Sequence, residues 1–286
     1  MKAAQLVLVL LGPVVLGAPA ADEVRSLPGW AAQLPSAQYS GFINASARST
    51  FHYWLVLSEK EPATDPLIVW LNGGPGASSM FGMMTEIGPL RLSASSMATE
   101  PPSLWYNRYG WQRFANVLVV DQPPPTGFSF CGNEPAGDFS SCGAWTDESA
   151  AAEHYAFLQR WFARFPELSS VPLYVAGESY AGVYVPLLAE LVYTDMPRNG
   201  MQLAGVVVGD GCMGSAAPGC GGKLSGDKWW HLQFLYGHGA LSTKLYDATV
   251  KTCTKAALLS GRYSSACAAA LAGSGHCTPS PSTEFV

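Results

Sequence analysis

The chain has 286 residues, 48% of them apolar and only 13% charged, enough to bury one large core or two modest ones and too apolar for a disordered chain. Its formal net charge is −5 and its 16 basic residues form no run longer than a pair, so it is not built to neutralise nucleic-acid phosphates. Seven cysteines suit an oxidising compartment, and an odd number leaves at least one without an internal partner.

Along the chain, "MKAAQLVLVLLGPVVLGAPAADEV" opens with one lysine, runs apolar from Leu6 to Leu16 and reaches small residues at Ala18-Pro19-Ala20, the pattern of a signal peptide. The stretch is short of the ~20 apolar residues a spanning helix needs, and Pro13 interrupts it. The sequon Asn44-Ala45-Ser46 follows, open to glycosylation in a secretory compartment. "DPLIVWLNGGPG" (65–76) and "NVLVVDQPPPTG" (116–127) are short apolar runs that end in turn-forming residues, and both read as buried parallel strands followed by loops. From Thr146, a plausible N-cap ahead of Asp147 and Glu148, apolar residues recur at Ala151, Tyr155, Leu158, Trp161, Phe162 and Phe165 until Pro166, which predicts a helix with one buried face. "VPLYVAGES" predicts a strand, Tyr180 to Leu191 a second helix and "LAGVVVGDG" (203–211) a further strand. Alternating strands and helices predict an α/β fold with a mostly parallel sheet. Past Asp210 the composition turns to glycine and small residues, "DKWWHLQFLYGHGALS" reads as an amphipathic helix ending near Gly237, and "TPSPSTEFV" reads as a loose tail.

The chemistry centres on "VAGESYAGVYVP". Gly177-Glu178-Ser179-Tyr180-Ala181 sits at a strand-to-helix turn, where small neighbours permit the strained backbone that lifts a serine hydroxyl clear of a sheet. The pattern alone is as compatible with a small-residue turn. The upstream loop "NGGPGASS" changes that balance, because it follows an earlier strand where this architecture forms an oxyanion hole, with Gly74 and Tyr180 as the natural pair of N–H donors. Together the two loops argue acyl transfer.

"PLIVWLNGGPGASSMFGMMTEIGPL", "NVLVVDQPPPTGFSF" and "VAGESYAGVYVPLLAELV", in this order and spacing, closely resemble the serine carboxypeptidase family, with flanking likeness from "SLPGW" and "YSGFIN" to "FLYGHGALS", roughly 26–243. The resemblance implies an α/β-hydrolase fold and release of C-terminal residues from peptides, with Ser179 as nucleophile and Gly74 and Tyr180 as oxyanion donors. It also implies Asn72, Gly73, Glu86 and Glu178 as holders of the substrate's terminal carboxylate. It implies no cofactor, no metal and a vacuolar, lysosomal or secreted location. Two carboxyls sharing a partly dry site cannot cheaply both ionise, so at least one pKa rises, and a protonated glutamate can donate a hydrogen bond to a carboxylate in acid. Read without the family, Glu86 is a solvated helix residue and Glu178 a turn residue.

Three departures stand out. Ala77 occupies a position where the family usually has a cysteine, and Pro124-Pro125 replaces a valine-glycine or similar pair, while Cys131 with Cys142 and Cys212 with Cys220 could each close a local loop. In the family the orienting aspartate and the base histidine come well beyond the nucleophile, whereas 107 residues (286 − 179) follow Ser179 here. The resemblance therefore implies a chain without that pair, composed of a signal peptide at 1–20, a core at 21–210 and the start of a cap region at 211–286, with a second chain or a C-terminal segment completing the sheet. The downstream histidines are His231, His238 and His276, and a triad through Asp210 and one of them would keep the fold's usual chain order. Two other readings remain open: an acyltransferase relative, and a catalytically dead binding or regulatory protein.

Overall fold

A computed structural model describes residues 19–132, 142–212 and 227–273. Most of the expected signal peptide, Cys220, His276 and the "TPSPSTEFV" tail lie outside the described residues. The chain divides into two compact units between Gly211 and Cys212.

The first unit is built on a sheet of six principal strands: β1 (Gln38–Asn44), β2 (Ser49–Val56), β3 (Leu67–Leu71), β4 (Asn116–Val120), β5 (Pro172–Glu178) and β6 (Gln202–Gly209). In space their order is β1-β2-β4-β3-β5-β6, with β4, β3, β5 and β6 parallel and β1 and β2 antiparallel. The parallel half is the one the apolar runs predict. The antiparallel pair is not anticipated by periodicity, because β2 is covered on both faces and Ser49–Val56 therefore shows no apolar–polar alternation. Cys131 and Cys142 form a disulfide, closing the local loop that their spacing allows.

Helix α1 (Asp147–Arg164) begins where the Thr146 hydroxyl accepts from Ser149 N and the Ser149 hydroxyl accepts from Thr146 N, a reciprocal cap reinforced by acidic residues in the first turn. Its apolar stripe buries Phe157, Leu158, Trp161 and Phe162 against the sheet, with Trp161 stacked on Phe165 and Phe157 stacked on Phe51 of β2. Each such side chain contributes about 1.5–3 kcal/mol of burial. Helix α2 (Ala181–Asn199) runs eight residues beyond the Leu191 expected from sequence and stops at Gly200, whose left-handed φ of 70° suits a residue with no Cβ. At the opposite side of the unit, Asp22 accepts from the Tyr53 hydroxyl at 2.5 Å, pairs with Arg164 at 2.7 Å and lies over Gly41, where a side chain would meet its carboxylate. Strand β6 ends the sheet among the described residues, with Val206 and Val207, on opposite faces, about half exposed.

The second unit contains α3 (Asp227–Gly237), α4 (Thr243–Thr252), α5 (Lys255–Ser260) and α6 (Ser265–Gly273). Ser242 and Thr254 cap α4 and α5 through their hydroxyls, and Leu232, Leu235, Leu258 and Leu271 share a small core with the Cys253–Cys267 disulfide. His231 is half-buried on α3, and His238 lies just past that helix with its Nδ1 on the Phe234 carbonyl. Cys212 is disulfide-bonded.

Candidate active site

Three parallel strands deliver their carboxyl ends to one edge of the sheet, the place where open α/β sheets carry their ligands. Leu71 of β3 is in register with Gly177 of β5, so the next residues, Asn72 and Glu178, stand side by side. Asn72 is buried and its amide has one orientation: Oδ1 accepts from Trp70 Nε1 at 2.8 Å and from Gly82 N at 3.2 Å, and since the indole is donor-only, Nδ2 faces Glu178 Oε1 at 2.8 Å. That bond uses one of the two Nδ2 hydrogens.

Ser179 follows immediately with φ 57°, a left-handed conformation that costs an L-residue roughly 1–3 kcal/mol. The surroundings hold it there: Ser179 N donates to Gly209 O of β6 at 3.0 Å, and Gly182 N and Val183 N begin α2 by donating to the Ser179 and Tyr180 carbonyls. The hydroxyl side of this turn is exposed. The 72–79 loop packs directly against it. A Cβ on Gly73 would collide with Tyr180 N and lie 3.0 Å from Ser179 Cβ, and a Cβ on Gly177 would collide with the Leu71 carbonyl, so both close approaches require glycine. Gly74, with φ 109°, belongs to the tight turn closed by Ala77 N donating to Gly73 O.

Glu86 reaches this group from Met83–Ile87, a short π-wound turn, and is half-buried. Loss of hydration raises its carboxyl pKa above the ordinary range, and the neighbouring Glu178 raises it further. Asn72, Gly73, Glu178, Ser179 and Tyr180 are thus brought together in direct contact, and Glu86 within electrostatic reach of Glu178. Beside the elbow lies an open pocket of about 400 Å³ whose wall includes Pro75, Pro124, Pro125, Trp145 and Tyr180, with the Tyr180 hydroxyl donating to Asp147 at 3.0 Å and Trp145 Nε1 to the Pro124 carbonyl at 2.5 Å. Asp210 follows β6, exposed and at φ 49°.

Sequence reasoning misses the support beneath this site. Asp121, fully buried after β4, accepts from Ser78 Oγ (2.6 Å), Ser79 N (3.1 Å), His52 Nδ1 (3.1 Å) and Phe128 N (3.1 Å), tying the 72–79 loop to the proline loop and to β2. The Ser79 hydroxyl in turn accepts Asn72 N at 3.1 Å. The available signal is a carboxylate placed directly after an all-apolar strand, where only a local ring of donors makes burial affordable. Two histidines belong to this unit, His52 and His154. His52 lies between Asp121 and Ser40, and His154 is buried beside Phe51 and Phe157, its pKa pushed down to about 3 by loss of hydration.

Comparison with known proteins identifies the family of this fold. The family model for serine carboxypeptidases matches residues 28–285. The lysosomal protective protein of Mus musculus is 36% identical over 236 residues, covering 82% of this chain and 45% of the relative. Serine carboxypeptidase-like 20 of Arabidopsis thaliana is 36% identical over 242 residues, with 82% and 46% covered. The crystal structure of the Saccharomyces cerevisiae prohormone-processing carboxypeptidase Kex1Δp superposes with a TM-score of 0.60 at 22% identity, covering 86% of this chain and 54% of that one, a likeness of fold. The chain belongs to the serine carboxypeptidase family and has its α/β-hydrolase fold, and it spans about half the length of the curated relatives it matches.

Proposed function

As a member of the serine carboxypeptidase family, this chain, we propose, carries the nucleophile and the carboxylate grip of an exopeptidase that removes C-terminal residues from peptides in acid. In this reading the Ser179 hydroxyl attacks the last peptide carbonyl, the Gly74 and Tyr180 N–H groups take the developing oxyanion, and an acyl-enzyme forms that water then hydrolyses. The base histidine that the family carries well beyond its nucleophile, and neither His52 nor His154, takes the Ser179 proton and hands it to the departing amino group as the peptide C–N bond breaks. Asn72 Nδ2, Gly73 and the Glu86–Glu178 pair hold the substrate's terminal carboxylate, one residue from the nucleophile. The observation that carries the proposal is the bond from Asn72 to Glu178 beside a Glu86 whose carboxyl keeps its proton above the usual range.

The sign of the pH dependence follows from that raised pKa. Below it Glu86 is a neutral donor to a carboxylate; above it Glu86 adds a negative charge to the site and repels its ligand. A secretory route to a lysosomal, vacuolar or extracellular compartment is part of the proposal, supported by the disulfides at Cys131–Cys142 and Cys253–Cys267 and by the name of the mouse relative.

Binding to the Ser179→Ala chain tests this without requiring turnover. A short peptide with a free carboxylate should bind at pH 5 at least about tenfold tighter than its C-terminal amide, since a charge-assisted bond is worth about 1.5–3 kcal/mol. The preference should collapse by pH 7.5. Equal binding of acid and amide at pH 5 would overturn the carboxylate grip, and failure of a fluorophosphonate to label Ser179 in the unaltered chain would overturn its role as nucleophile.

A further inference from the structure

A second serine, well apart in sequence from the elbow, is held as an activated nucleophile would be. Ser40 Oγ lies 3.0 Å from His52 Nε2, and His52 Nδ1 lies 3.1 Å from Asp121 Oδ2. The proton positions follow from chemistry. Asp121 is surrounded by four donors and acts as a carboxylate acceptor, so His52 Nδ1 carries the hydrogen. A neutral ring then leaves Nε2 as an acceptor, and the Ser40 hydroxyl must donate to it. These are the atom pairings of a serine, histidine and aspartate triad, which is recognised by geometry and roles and not by position in a fold. Nucleophile, base and orienting acid all fall within the ~2.6–3.2 Å reach such a relay needs.

The access is also built. Asp121 is fully buried and His52 nearly so, while Ser40 is half-buried on the wall of an open pocket of about 670 Å³. Phe42 and Phe128, both about half exposed, flank the His52 ring with centroids at 5.4 and 5.0 Å, and Trp54 completes an aromatic lining. Asp22 also lines the pocket, its carboxylate engaged by the Tyr53 hydroxyl and Arg164, so a pocket of that size with aromatic walls and a convergent polar relay suits a small ligand without a negative charge that carries an aryl or short alkyl group.

We propose that Ser40 is a second acylatable hydroxyl of this protein, activated by His52 and Asp121, which takes acyl or phosphonyl groups from small apolar activated esters. In the transfer the bond from Oγ to the acyl carbon forms and the ester C–O bond breaks. The Ser40 proton passes to His52 Nε2 and from there to the departing alkoxide or aryloxide. With a fluorophosphonate, the Oγ–P bond forms, P–F breaks and fluoride leaves.

The test uses the full chain carrying Ser179→Ala, so that only other serines can react. It is incubated separately with an ethoxy fluorophosphonate and with p-nitrophenyl acetate, and digested with trypsin. Ser40 falls in peptide 26–48, which also carries Ser26, with Ser36 and Ser46 as internal controls, whereas the elbow falls in peptide 165–198. The adduct should sit on Ser40 at least about 100-fold above Ser36 and Ser46, and His52→Gln should slow it by a factor of about 100 or more, the usual worth of a general base. No adduct on Ser40, equal labelling of the three serines, or a folded His52→Gln chain that labels at the original rate would each overturn the proposal. If His52→Gln does not fold, the ratio of Ser40 to Ser36 and Ser46 in the Ser179→Ala chain decides alone. Labelling of Ser179 in the unaltered chain is read from the other peptide, so the two sites fail or succeed separately.

Discussion

Replacing Asp121 by asparagine changes no shape and should still be expensive. Two donors converge on each carboxylate oxygen: Ser78 Oγ and Ser79 N on Oδ1, His52 Nδ1 and Phe128 N on Oδ2. An amide must turn its NH₂ to one of these pairs. Facing the first, it meets a hydroxyl that can rotate to accept and a Ser79 N–H that cannot. Facing the second, it meets a ring that can shift its proton and a Phe128 N–H that cannot. Either way one backbone N–H, buried at Ser79 and part-buried at Phe128, loses its acceptor, at about 1–3 kcal/mol, and the surviving bonds lose the advantage of a charged acceptor, about another 1 kcal/mol. A total near 3 kcal/mol corresponds to a melting point about 6–12 °C lower for a core of this size. Calorimetric melting of Asp121→Asn beside the unaltered chain measures it. A drop of less than about 2 °C on that scale would refute the four-donor account.

Glu86→Gln removes the raised carboxyl while keeping a neutral side chain. Because the folded pKa lies above the unfolded one, the contribution of Glu86 to stability is present in acid and lost as pH rises through its folded pKa. The variant should therefore gain stability relative to the unaltered chain between acid and neutral pH, measured by urea titration across that range; parallel pH curves would contradict it. Gly73→Ala drives a Cβ into Tyr180 N, an atom of the elbow backbone that has no slack. Fluorophosphonate labelling of Ser179 should fall by about 100-fold, the cost of a displacement near 1 Å, with helical circular dichroism unchanged, and undiminished labelling would show that the loop tolerates the shift.

Sequence carries much of this molecule because its parallel half obeys simple rules. Leu67–Leu71, Asn116–Val120 and Pro172–Glu178 are short buried runs, and Asp147–Arg164 announces itself through Thr146 and the spacing of Leu158, Trp161 and Phe162. Ser179 is legible because a left-handed serine needs small flanks, which Gly177 and Ala181 supply. What stays hidden is relational. Nothing local to Asp121, His52 or Ser40 says that residues up to 81 positions apart (121 − 40) share one proton relay, since that depends on the antiparallel placement of β1 and β2 beside β4. The raised pKa of Glu86 is equally invisible in sequence, because its main cause is hydration lost in the folded state.

The clasp at Asp22 bears on how the protein is prepared. A leader removed after Ala20 would leave Asp22 as the second residue of the chain, still able to reach Tyr53 and Arg164. Trimming two residues further strips the carboxylate from a fully buried phenol and from the last turn of α1 at once. Ragged amino termini would then behave as a mixture of tight and loosened molecules, and an affinity tag belongs upstream of Ala21 or at the other end of the chain.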